Sequence, residues 1–282
     1  MNSEIRLKSK ILLSGNTLRL FLITLTSAFL RYGTFCGAAA GLLITYKSEF
    51  FKNLLTEYND IGVYTALVFS SIIILAVILI FSAAIKGGEE FIFFTRAQGS
   101  KGHFPLLFKY LRPQKAFAFF RLYFFTNTLK LCWLIYFLLP FSFCAACSYY
   151  LYSTGHLSET VYFILCTGAS LLLAISLVMW RFAVLRYSAT PYYLCLNTRR
   201  GVNYIIKKSI RFTDGFLANG IVLEYSSLGW VLSCIFIAPI IYVAPYLKLT
   251  KAIYASQAVF GNAPAKKTTY AVNFLKSGEH IN

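Results

Sequence analysis

The sequence predicts an all-α protein: a polytopic transmembrane helix bundle of about six spans, with basic amphipathic helices lying in the membrane plane. Three observations predict it. Hydrophobic residues fill 58% of the 282 positions and charged residues only 13%, against roughly 25% charged in soluble domains. A soluble fold of this length has no interior large enough for that apolar surface. The apolar residues are also gathered into runs of about 20 or more, the length that crosses hydrocarbon as a helix. Finally, the segments between runs alternate between basic and nearly neutral, the positive-inside pattern.

Met1 to Ser14 carries Arg6, Lys8 and Lys10 among Ile5, Leu7, Ile11 and Leu12. This alternation gives weak support to an in-plane helix. Ser14, Gly15 and Asn16 supply turn and cap chemistry, and residues 17–46 form the first expected span, long enough that it must tilt or protrude. That stretch is too long for a signal-peptide core and no small-residue cleavage pattern ends it, so it is expected in the mature protein. Gly33, Gly37 and Gly41 recur every fourth residue, a small-residue face on which another helix can approach closely. It serves a homodimer seam or close packing within one chain, and the second reading is preferred.

Lys47 to Asp60 is nearly charge-balanced and reads as external; residues 61–85 make the second span. From Lys86 a basic segment runs through Arg96, Lys101, Lys109, Arg112 and Lys115, and is expected on the cytoplasmic side. Within it, residues 104–123 are amphipathic, with Pro113 placed for a helix start. Residues 128–152 form the third span, with a kink expected at Pro140, and residues 161–185 the fourth.

Arg199 to Thr213 is a third basic amphipathic segment. Val202, Ile205, Ile206 and Ile210 share one helix face, while Lys207, Lys208 and Arg211 occupy another. With Arg199 and Arg200 these cations form the expected interface with anionic lipid headgroups. After a bend at Asp214 and Gly215, residues 216–237 and 239–260 are read as spans five and six, one long span being the alternative. Residues 261–282 are polar and read as a cytoplasmic tail. With six spans, 24 of the 27 basic residues fall inside and both termini are cytoplasmic. Nucleic acid is excluded as the counter-charge because the cations sit between hydrophobic runs.

Asn16-Thr17-Leu18-Arg19-Leu20 and Asn127-Thr128-Leu129-Lys130-Leu131 both open expected spans. Together with the turn at Asp214 they point to three helical-hairpin repeats starting near residues 1, 104 and 199. Tyr187-Ser188-Ala189-Thr190-Pro191-Tyr192, Ser226-Ser227-Leu228-Gly229-Trp230, Ala244-Pro245-Tyr246 and Leu138-Leu139-Pro140 carry a further reading. On these elements the chain resembles the DUF975 family of uncharacterised bacterial integral membrane proteins, most strongly over residues 186–260. Phe141 departs from the family pattern, in which Gly follows that Pro. The resemblance implies a multi-pass protein of the bacterial plasma membrane and brings no catalytic residues.

Few residues offer chemistry. Arg31 falls midway along the first span and Glu224 near the start of the fifth, where an unpaired charge costs about 2.5–3.5 kcal/mol. They are the candidate intramembrane polar site, read either as paired charges or as the mark of a polar path. Cys144 and Cys147 share a helix face at i and i+3, a chemically feasible redox pair. His103, His156 and His280 lie far apart, and Gly87-Gly88-Glu89-Glu90 lacks the Lys and Ser/Thr of a phosphate loop. Trp230, Tyr149, Tyr150, Tyr152, Tyr192 and Tyr193 suit interfacial belts. No cofactor or metal is expected. The leading expectation is a non-enzymatic scaffold, accessory or partner-binding component in contact with anionic lipid. Its partner is a second membrane protein or another copy of the chain. A transporter or channel using the Arg31 and Glu224 region is the alternative.

Overall fold

The computed structural model describes residues 2–47, 61–100, 102–196, 200–233 and 237–260. The expected external loop after Lys47, Arg199 and the tail 261–282 lie outside the described residues. Among the described residues, ten α-helices and one 3-10 turn follow in order: α1 (Asn2–Leu13), α2 (Thr17–Lys47), α3 (Ile61–Ala97), the 3-10 turn (Phe104–Phe108), α4 (Pro113–Ser153), α5 (Glu159–Leu185), α6 (Thr190–Leu196), α7 (Val202–Asp214), α8 (Leu217–Tyr225), α9 (Leu228–Ser233) and α10 (Ile237–Phe260). No strand occurs among the described residues.

Four of these segments are long and apolar enough to cross a membrane: Thr17–Gly41, Val68–Ala97, Pro113–Ser153 and Glu159–Leu196. They coincide with the first four expected spans. The described part of residues 216–260 does not join them. Their first half is broken into α8 and α9 at Ser226 and Ser227, where the Ser227 hydroxyl donates to the Glu224 carbonyl (2.7 Å). A serine side chain that bonds back to the preceding turn competes with helix propagation.

Burial divides the molecule into two tiers. The packed core belongs to one end, here the base. It is built from α1, the first half of α2, the last turns of α3, the 3-10 turn, the start of α4, and α6, α7 and α10. Ile5, Leu13, Ile23, Ile92, Phe93, Leu107, Phe119, Leu194 and Leu249 are essentially sealed. The other tier is apolar and exposed. Ile72, Ile73, Ile74 and Leu75 are 57, 59, 42 and 45% accessible in succession. At about 3.6 residues per turn, four consecutive residues cover the whole circumference of a helix. Such a helix is stable only in a solvent as apolar as itself.

The amphipathic segments end in protein rather than lipid. On α7, Val202, Ile205, Ile206 and Ser209 are buried against the core, and the Ser209 hydroxyl donates to the Arg186 carbonyl (3.0 Å). The in-plane expectation for this face is thereby corrected: the α7 stripe is covered by the base of its own chain. α1 does the same through Ile5, Ser9 and Leu13, spaced four apart and packed towards α10, where the Thr250 hydroxyl meets that of Ser9 at 3.1 Å. Its charges alternate, but its buried stripe does not.

The middle amphipathic segment is corrected differently. Residues 104–108 form the 3-10 turn, and Pro113 opens a 41-residue helix that enters the third span without a break. The helix also continues through Pro140. Asn127 therefore lies within a helix, whereas Asn16 lies in a turn next to Gly15 at φ 77°, so the two Asn-Thr-Leu motifs occupy different structural positions. Tyr192 and Tyr193, read as belt residues, are core residues, 7 and 3% exposed. Tyr149, Tyr150, Tyr152 and Trp230 are exposed.

Candidate functional site

Gly87-Gly88-Glu89-Glu90 on α3 is the point around which the base is assembled. A Cβ on Gly88 would fall 2.0 Å from the Leu107 carbonyl oxygen, and one on Gly87 would fall 2.6 Å from the Phe119 ring. Only glycines let the 3-10 turn and α4 press this closely on α3. The two carboxylates that follow are thereby carried into the interior.

Glu89, with its side chain 4% exposed, accepts a hydrogen bond from the Ser27 hydroxyl at 2.8 Å. It pairs with Arg31 on α2 at 3.4 Å and with Lys248 on α10. One carboxylate thus joins three helices. Glu90, the next residue, accepts from the Tyr123 hydroxyl of α4 at 2.7 Å. Arg181 on α5 grips Glu224 of α8 with two nitrogens, at 2.9 and 3.2 Å, and Lys251 of α10 approaches the same carboxylate at 3.5 Å. Paired, hydrogen-bonded charges of this kind are the form in which ionised groups persist away from water.

The second and third of these groups face a cavity of about 230 Å³. Lys86, Glu90, Tyr123, Lys130, Arg181, Tyr187, Ser188, Tyr192, Glu224 and Lys251 line it. The Tyr-Ser-x-x-Pro-Tyr element supplies one wall, with the Tyr187 hydroxyl held by the Trp133 indole N–H at 3.0 Å. Four cations face two carboxylates here. Lys86 lies over the Tyr123 ring, 4.5 Å from its centroid.

Arg31 and Glu224, expected as one polar site, belong to separate charge clusters. Arg31 pairs with Glu89, beyond the expected end of the second span, so it is located at the base and not midway along the apolar tier. Glu224 belongs to the cavity. Glu89, Lys248 and Arg181 were not anticipated as partners. The signal was present, because Glu89 and Glu90 stand directly before Phe91-Ile92-Phe93-Phe94, and a carboxylate carried inward by a buried run needs a charged or hydrogen-bonding partner.

Arg200, Lys207, Lys208 and Arg211 remain on the outer side of α7, with a groove of about 370 Å³ along Tyr204, Lys207, Lys208, Arg211 and Phe212. Lys208 is within 6 Å of the Tyr193, Tyr204 and Phe212 ring centroids. Gly33, Gly37 and Gly41 are exposed. A Cβ on Gly37 or Gly41 would meet nothing within 4 Å, and one on Gly33 only Phe29 of its own helix. Cys144 and Cys147 are free thiols. No group of three or more metal-ligating side chains occurs among the described residues.

No family model, curated protein or solved structure matches this chain.

Proposed function

We propose that this protein is a non-enzymatic membrane scaffold or accessory component, which uses its apolar tier to bind the helices of a partner protein or of a second copy. The observation that carries this reading is the open small-residue face of α2 beside an α3 stretch exposed on every side. Helices in lipid associate through close packing of such faces, and a Cβ at Gly33 or Gly37 would meet no other described helix. In this reading the base, with its basic α7 face, lies in the cytoplasm against the anionic leaflet of a bacterial plasma membrane, and both termini are cytoplasmic. The DUF975 resemblance, which rests on the quoted motifs, carries the same expectation.

The test is site-directed crosslinking in native membranes with Gly37→Cys, accompanied by isolation in mild detergent. A crosslinked copy or partner, lost when Gly33→Ile is added to Gly37→Cys, is expected. A chain that stays monomeric, forms no crosslink and copurifies with no membrane protein would overturn the proposal.

A second reading, a transporter or channel for a small solute, is favoured by the charged cavity at Glu224 and the groove beside it that reaches Arg31. Solute uptake by proteoliposomes that is lost in both Arg31→Gln and Glu224→Gln would establish it over the first.

A further inference from the structure

The charged cavity does not end at its polar walls. Lys86 and Tyr123 also border a second void of about 440 Å³, lined by Arg31, Leu79, Ala83, Phe120, Phe124 and Leu131 among others. Phe124 and Leu131 are exposed, so this groove opens on the apolar tier, where acyl chains lie. A polar compartment and an apolar one therefore meet at a single lysine.

The charges in the polar compartment do not balance. Glu224 is engaged by Arg181 and Lys251, and Glu90 by the Tyr123 hydroxyl. Among the described residues, Lys86 and Lys130 have no carboxylate within salt-bridge distance. Both are only partly exposed. The hydroxyl of Ser188, on the same wall, is buried without a hydrogen-bond partner. Two ammonium groups and an unused hydroxyl around one void are complementary to a phosphate, which accepts from all three. Free phosphate would leave the adjoining groove empty, whereas a phospholipid fills both compartments with one molecule.

We propose that this is a binding site for one anionic phospholipid, with its phosphate between Lys86 and Lys130 and an acyl chain along Leu79, Phe124 and Leu131. The site shares no lining residue with the groove along α7, and it is independent of any partner protein. It requires only that the four apolar helices cross a membrane.

The test is native mass spectrometry of the delipidated full chain in mild detergent. Dioleoyl phosphatidylglycerol is the probe, with dioleoyl phosphatidylcholine and inorganic phosphate as comparisons. One phosphatidylglycerol is expected to be retained per chain, in preference to phosphatidylcholine. At about 1 kcal/mol per basic residue, Lys86→Gln with Lys130→Gln should weaken retention about 30-fold. Lys130→Gln alone, the milder change, should weaken it about fivefold. Leu131→Trp, which fills the groove, should also reduce retention, and an α7 variant (Lys207→Gln with Lys208→Gln and Arg211→Gln) should reduce it less than the Lys86 and Lys130 pair does. The proposal fails if phosphatidylcholine is held equally well. It also fails if inorganic phosphate competes fully while Leu131→Trp has no effect, or if only the α7 variant releases the lipid.

Discussion

Neutralising Glu89 tests the architecture most directly. Glu89→Gln keeps the shape of the side chain and its hydrogen-bonding capacity toward Ser27, but removes the charge that Arg31 and Lys248 share. Breaking a fully buried pair by removing one partner costs about 3–5 kcal/mol, and an exposed pair is worth about 0–1 kcal/mol. Glu89 is at the buried extreme, its side chain 4% exposed, while those of Arg31 and Lys248 are 17 and 36% exposed. The two cations can therefore recover part of their hydration, and the expected loss is about 2–3 kcal/mol. Reversible unfolding of the full chain in mixed micelles measures it. Lys248→Met combined with Glu89→Gln should cost less than the sum of the single changes by about 1 kcal/mol, since the ammonium left without its carboxylate is removed as well. A Glu89→Gln variant within about 0.5 kcal/mol of the parent, with additive behaviour toward Lys248→Met, would refute the idea that this carboxylate holds three helices together.

Other perturbations separate the tiers. Gly88→Ala, which must displace the Leu107 carbonyl, should destabilise the protein by about 1–3 kcal/mol. Gly37→Ala, with open space around it, should stay within about 0.5 kcal/mol of the parent in the same micelle titration. Arg181→Lys should lower stability by about 1 kcal/mol, because an ammonium cannot reproduce the two-nitrogen grip on Glu224; Arg181→Met should cost more, and equal values for the two would count against the bidentate contact. Tyr187→Phe removes the acceptor of the Trp133 indole N–H and should cost about 1 kcal/mol, with a change in tryptophan emission as an independent readout. In a cysteine-free background, an impermeant maleimide should label Thr154→Cys from outside intact cells and Ser100→Cys only after permeabilisation. The reverse pattern would invert the proposed orientation.

Some of this was legible in one dimension because it depends on composition and local chemistry. The first four spans follow from apolar run length. The breaks at Gly15 and Gly215 follow from turn residues, and the helix start at Pro113 follows from a residue suited to a first turn. The base was harder to read because a helical apolar stripe does not specify what covers it. The Val202, Ile205 and Ile206 stripe suits a lipid headgroup boundary and a protein groove equally well, and the neighbouring 190–196 helix and α10 decide for the groove. The site shows the same limit. Arg31 and Glu224 stood out because each is a lone charge in an apolar run, but their partners lie 58 and 43 residues away in the chain.

What the sequence alone determined is the solvent and the material: its long apolar runs predict helices, and four helices are long and apolar enough to cross a membrane. What only the tertiary structure decided is the pairing of its charges and the fate of its amphipathic faces. The physical reason is range. Helix formation and membrane partition are summed over neighbours along the chain, whereas a buried carboxylate is stabilised by whichever cations the fold brings within about 4 Å of it. At Glu89 the fold brings Arg31 and Lys248 from opposite ends of the sequence, while the two glycines before it leave room for the 3-10 turn and α4 on another side of the helix.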